Sequence, residues 1–125
     1  MVARDVALSA LFDARAKLAE LIVGWSPEPA RSEAERRAQA DKLNQLILER
    51  DKVNGAINAV IAAAFQAIPT PELEKATREL AQSARDLEAF GDSIAQLNEV
   101  LRVADLVVQG AAKVVSLAAG GGLPV

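Results

Sequence analysis

The 125-residue chain has no cysteine, no histidine and no tyrosine, and it carries one tryptophan and three phenylalanines. Each absence removes a class of chemistry. Without cysteine there is no disulfide framework, and the redox compartment is left unspecified. Without histidine or cysteine, Ser-His and Cys-His nucleophiles, zinc sites and Glu-x-x-His di-iron sites cannot be assembled within one chain. No glycine-rich loop opens a helix, because Gly120-Gly121-Gly122 follows one instead, so a phosphate cradle is missing too. Carboxylates are plentiful, but Glu33/Glu35, Glu49/Asp51 and Glu72/Glu74 sit two residues apart. That spacing sends the members of each pair to different helix faces and not into one acid–base cleft. No catalytic residue, cofactor or metal is therefore assigned, and the chain is expected not to be an enzyme.

A basic excess and a long apolar run are also missing. The net charge is −3, so no positive field draws a phosphate backbone, and nucleic acid is not an expected partner. Arg36-Arg37 lies among acids and reads as a solvated helix face. The longest uncharged stretch, Val53 to Pro71, contains Asn54, Asn58 and Gln66 and ends in Pro69-Thr70-Pro71, so it does not read as a membrane span. Asp5 and Asp13 interrupt the apolar N-terminal stretch, which argues against a secretory leader or a transit peptide. A cytoplasmic location is the expectation. The Ala, Arg and Val usage is that of a GC-rich bacterial or phage genome.

What the chain does have is helical periodicity. Leu73, Leu80, Leu87, Ile94, Leu101, Val108 and Val115 recur every seven residues, and Ala76, Ser83, Phe90, Leu97, Ala104, Ala111 and Ala118 follow three later. Such an a/d seam specifies one long helix packed lengthwise on others. Two earlier helices precede it. In the first, Leu8, Leu11, Phe12, Leu18, Ile22 and Trp25 share a stripe, and Pro27 and Pro29 end it. The second opens on the capping box Ser32-Glu33-Ala34-Glu35, with a seam of Leu43, Leu46, Arg50, Val53, Ile57, Val60, Ala64 and Ala67. Thr70 as N-cap and Pro71 at the first helical position start the third.

These signals predict an all-α, elongated, antiparallel three-helix bundle. It is a single domain over 1–119, with helices at about 2–25, 32–68 and 71–118 and a flexible tail at 120–125. Its frame is a coiled-coil-like hairpin of the second and third helices, in which residue i faces about residue 139 − i at equal rise. In that geometry the third helix overshoots the second by about ten residues, or roughly 15 Å. The overshoot is apolar. The position before each seam leucine is Glu72, Glu79, Asp86 and Ser93, then Val100, Val107 and Val114.

An apolar overhang expects a neighbour. The functional expectation is accordingly a non-catalytic interaction module, binding another protein as adaptor, chaperone or immunity-type factor, or binding itself, with a dimer as the expected oligomer. The residues assigned to that surface are Leu101, Val103, Leu106, Val107, Val108, Val114, Val115 and Leu117. A second patch is Ile61, Phe65 and Ile68 at the hairpin tip, and Arg50 is a candidate register-setting charge level with Asp86, Glu88 and Phe90. The alternative is a membrane-active or lipid-surface protein that exposes the end of the third helix. Against it stands the lack of a basic flank, since only Arg102 and Lys113 are near.

Overall fold

A computed structural model of the chain describes residues 2–25, 29–66, 68–91 and 96–118. Among the described residues all regular structure is helical: α1 (Ala3–Val23), α2 (Glu33–Ala62), α3 (Pro71–Glu88) and α4 (Leu97–Leu117). The all-α reading holds, but the described residues form four helices where three were expected. The 71–118 helix is two helices folded against each other. Ile94 and Ser93 of the expected seam, Ala67 of the second helix, and the 120–125 tail lie outside the described residues.

The reason for the fold-back is visible in what α4 buries. Leu97, Val100, Val103, Ala104, Val107, Ala111 and Val114 are all buried, and they pack with Leu73, Ala76, Leu80, Ala84 and Leu87 of α3. A straight helix would leave Val107 and Val114 on the overhang, in water. Burying each is worth about 1.5–3 kcal/mol. The few helix hydrogen bonds given up at a turn are worth roughly 1 kcal/mol each, net of water. Burial wins. Gly91, a poor helix former, marks the turn, and the Lys17 ammonium of α1 donates to the Phe90 carbonyl at 2.5 Å.

Side-chain contacts set the directions of the four helices. Arg15 Nη1 donates to Asn54 Oδ1 and Arg4 Nη2 to the Ala63 carbonyl, so α1 and α2 are antiparallel. Lys113 of α4 pairs with Glu79 of α3, and the backbone at Gly110 lies against Leu80, so α3 and α4 are antiparallel too. The two hairpins then pack side by side with α1 parallel to α3 and α2 parallel to α4. Lys17 reaches Phe90, while Asp5 and Val6 lie beside Ala81. Lys42 donates to Asn98, and Lys52 and Ala59 line one groove with Val108 and Val115. Around the bundle the order is α1, α2, α4, α3, and the expected α2/α3 hairpin contact is replaced by a diagonal.

The helix ends explain the rest. Ser32 accepts from the Glu35 amide at 3.2 Å, and the Glu35 carboxylate takes the Arg31 amide at 2.6 Å, so the start of α2 is capped from both sides. Thr70 accepts from the Leu73 amide at 3.1 Å, with Pro71 next to it, as the sequence predicts. The second helix stops at Ala62, short of the expected 68. Arg4 satisfies the Ala63 carbonyl, its guanidinium stacks over Phe65 at 5.2 Å, and the Gln66 amide donates to the Ala118 carbonyl. Chain that would have been helix is thus spent on closing one end of the bundle, and Pro69 disfavours helix just before it.

In α1 the stripe is set by small residues: Ala7, Ala10 and Ala14 are buried with Leu11, Leu18 and Leu21. Phe12, expected inside, is 42% exposed under the Arg15 guanidinium. An alanine-lined helix lets its two neighbours approach closely, and a phenylalanine ring would hold them apart.

Candidate interaction surface

The apolar overhang that motivated the surface assignment does not exist. With α4 folded onto α3 and beside α2, Val103, Val107 and Val114 are core, and Val107 and Val114 are 0% exposed. They cannot touch a partner of the folded chain, and that part of the assignment is withdrawn. Leu101, Val108, Val115 and Leu117 are half-buried, and Leu106 is 41% exposed. The helix end that does project belongs to α2. Lys42 is level with Asn98, so the first two turns of α2 run past the start of α4, and they carry Glu33, Glu35, Arg36 and Arg37.

Of the assigned residues, Leu101, Val108 and Val115 share one side of α4, the side toward α2. The offset of 56 between Lys42 and Asn98, carried along two parallel helices, sets Lys52 beside Val108, Gly55 beside Ala111 and Ala59 beside Val115. Those residues, with Ala56 and Ala112, line an open groove of about 330 Å³. Its walls are almost entirely apolar, and the one charged lining residue is Lys52, paired with Glu49 at 3.3 Å.

Leu48 stands on the same side of α2, two turns before Gly55, and is 53% exposed. Sequence reasoning missed it. The signal was present: Leu48 is two residues from Leu46, about 200° around the helix from the core stripe, where a leucine has no partner on its own helix. Leu48 and Leu101 therefore stand as large apolar side chains at one end of a face whose other end is lined by glycine and alanine.

The second patch lies at the opposite end. Ile61 is 56% exposed and Ile68 is 83% exposed, and Phe65 is half-buried beneath Arg4. Arg50 does not reach across the bundle. Its guanidinium pairs with Asp51, the next residue, at 3.6 Å, and α3 with Asp86 and Glu88 lies on the diagonal. The register-setting role has no geometric basis here. Asn54 joins α1 to α2 through Arg15, whereas Asn58 is exposed.

A shallow acidic groove between α1 and α3 is lined by Asp5, Asp13 and Glu88 with Arg85. Among the described residues no group of three or more Asp and Glu converges closely enough to hold a metal ion. No helix among them is long and apolar enough to cross a membrane. No protein-family model matches the chain, and no curated protein or solved structure matches it either.

Proposed function

We propose that the chain is a non-catalytic helical interaction module of the cytoplasm that binds protein through the α2/α4 face. The observation that carries this reading is the combination of an exposed leucine with a groove lined almost entirely by apolar residues. Leu48 at 53% exposure, with Leu101, Val108 and Val115 half-buried and Gly55, Ala59 and Ala112 on the same side, makes this face mostly apolar, with Lys52 among its residues, on a surface otherwise rich in charge. Single exposed apolar residues are ordinary, but a contiguous strip rimmed by polar residues suits a partner helix or sheet face. The absence of histidine and cysteine from the whole chain supports the non-catalytic half of the reading.

The test is a photo-crosslinking amino acid placed at position 48 and, as a control, at Phe12, which is also exposed but lies on α1. Protein adducts formed in cells from position 48 and not from position 12 support the assignment. Adducts from neither position, with the variants folded, argue against a protein-binding face.

A further inference from the structure

We propose that the bundle is built to open along the α2/α4 seam, with the α3/α4 hairpin swinging away from α2 while α1 stays on α3. Two seams join the hairpins, α1/α3 and α2/α4. The first is tied from inside: the ammonium of Lys17, a buried residue of α1, donates to the Phe90 carbonyl just past the end of α3. The second is held less closely. Gly55, Ala56 and Ala59 of α2 and Ala111 and Ala112 of α4 line the open groove of about 330 Å³ that runs along it. Side chains this short leave few atoms in contact across the seam, so closing it gains little dispersion energy. Lys42 donates to Asn98 beyond one end of the groove, where the pair is exposed.

A buried carboxylate works against closure at the same seam. Glu49 lies one turn before Lys52, on the side of α2 turned toward α4, and is 8% exposed. Its Oε1 takes Lys52 at 3.3 Å, while its Oε2 is buried with no hydrogen-bond partner. The offset of 56 sets Asp105, a second carboxylate, on α4 at the level of Glu49, and Asp105 is tied to Gln109 of its own helix at 2.7 Å. A buried acceptor left unpaired costs the hydration it has lost, and two carboxylates at one level of a seam repel. Opening relieves both and leaves α1 packed on α3. Closed and open bundles then form a two-state pair, and any molecule that inserts between α2 and α4 selects the open one. This goes beyond binding on the closed face and does not depend on which protein binds there.

The chain has no cysteine, so a single introduced thiol reads the opening of each seam. Ala111 is 1% exposed under the α2/α4 groove, and Ala84 is 2% exposed under the α1/α3 groove. Ala111→Cys and Ala84→Cys are treated with dithiobisnitrobenzoate in native buffer, and a urea melt of each variant gives the rate expected from global unfolding alone. Ala111→Cys should react at least tenfold faster than Ala84→Cys and faster than its own unfolding accounts for. Ala104→Cys, two turns earlier on α4 at a position 0% exposed, should react as fast as Ala111→Cys, because the seam opens as a unit. Adding Glu49→Leu should slow both α4 thiols about tenfold, because the oxygen it removes is the one relieved in the open form. Equal rates at 111 and 84, or a faster thiol at 84, overturn the proposal. So does a fast thiol at 111 with a slow one at 104, which is fraying of the end of α4, and so do rates that Glu49→Leu leaves unchanged.

Discussion

Replacing Val107 by alanine tests the fold on which every functional statement above depends. Val107 is 0% exposed in the core formed by α3 and α4, whereas in a continuous 71–118 helix it would lie on a solvated overhang. The substitution removes two buried methyl-sized groups. At about 0.8 kcal/mol per buried carbon, the transfer loss is roughly 1.6 kcal/mol. The cavity left in a close-packed core adds to it, for a total of about 2–3 kcal/mol. For a domain of this size that lowers the thermal midpoint by about 10 °C. Leu48→Ala, at 53% exposure, should cost no more than about 0.5 kcal/mol and leave the midpoint within about 2 °C. Urea melts followed by circular dichroism at 222 nm measure both. A Val107→Ala variant as stable as the parent chain, or Leu48→Ala the more damaging of the two, would refute the packing of α4 on α3 and restore the extended hairpin.

The other predictions probe the close approach, the turn and the lipid alternative. A Cβ at Gly110 would sit 3.4 Å from Leu80 Cδ1, in ordinary contact, so Gly110→Ala should be neutral to stabilising by up to about 1 kcal/mol, whereas Gly110→Leu should overpack the α3/α4 contact and cost about 1–3 kcal/mol; equal melting curves for the two would place the helices farther apart. Lys17→Met keeps an apolar stem but leaves the Phe90 carbonyl without its ammonium donor, and should destabilise the chain by about 1–3 kcal/mol with faster amide exchange around residues 89–91 first of all. An unchanged exchange pattern there would mean that Lys17 does not hold the turn. Mixed with vesicles of about 30% anionic lipid, the folded chain should remain in the supernatant, since the apolar strip has no flanking basic cluster; co-sedimentation would revive the membrane-active alternative.

The element types and most of the caps could be read from the residues, because they depend on neighbours in sequence. Ser32 and Thr70 cap the helices they were expected to cap, and Leu73, Leu80 and Leu87 are buried as the seven-residue spacing requires. What could not be read was whether the seam stays on one helix. A heptad repeat fixes which residues share a face while the chain is straight, and it is blind to a turn that happens to keep the count. Leu101, Val108 and Val115 remain in the frame of Leu73, Leu80 and Leu87, yet they are only half-buried; the residues just before them, Val100, Val107 and Val114, have taken the core.

That slip by one position was written in the sequence as the change from Glu72, Glu79 and Asp86 to Val100, Val107 and Val114. It reads in two ways: a longer helix with a sticky end, or a second helix with its own buried face. The magnitudes decide between them. Val107 and Val114 left in water on an unsupported end forgo several kcal/mol of burial, a large part of the whole stability of a domain this small. A turn at Gly91 costs far less. A sequence that switches its flanking residues from acid to valine near a glycine is therefore better read as a fold-back than as an overhang. The same argument moves the candidate surface from the valines, which the fold consumes, to the leucine it leaves over. Leu48 is left 53% exposed, and Leu101 beside it is half-buried against the core.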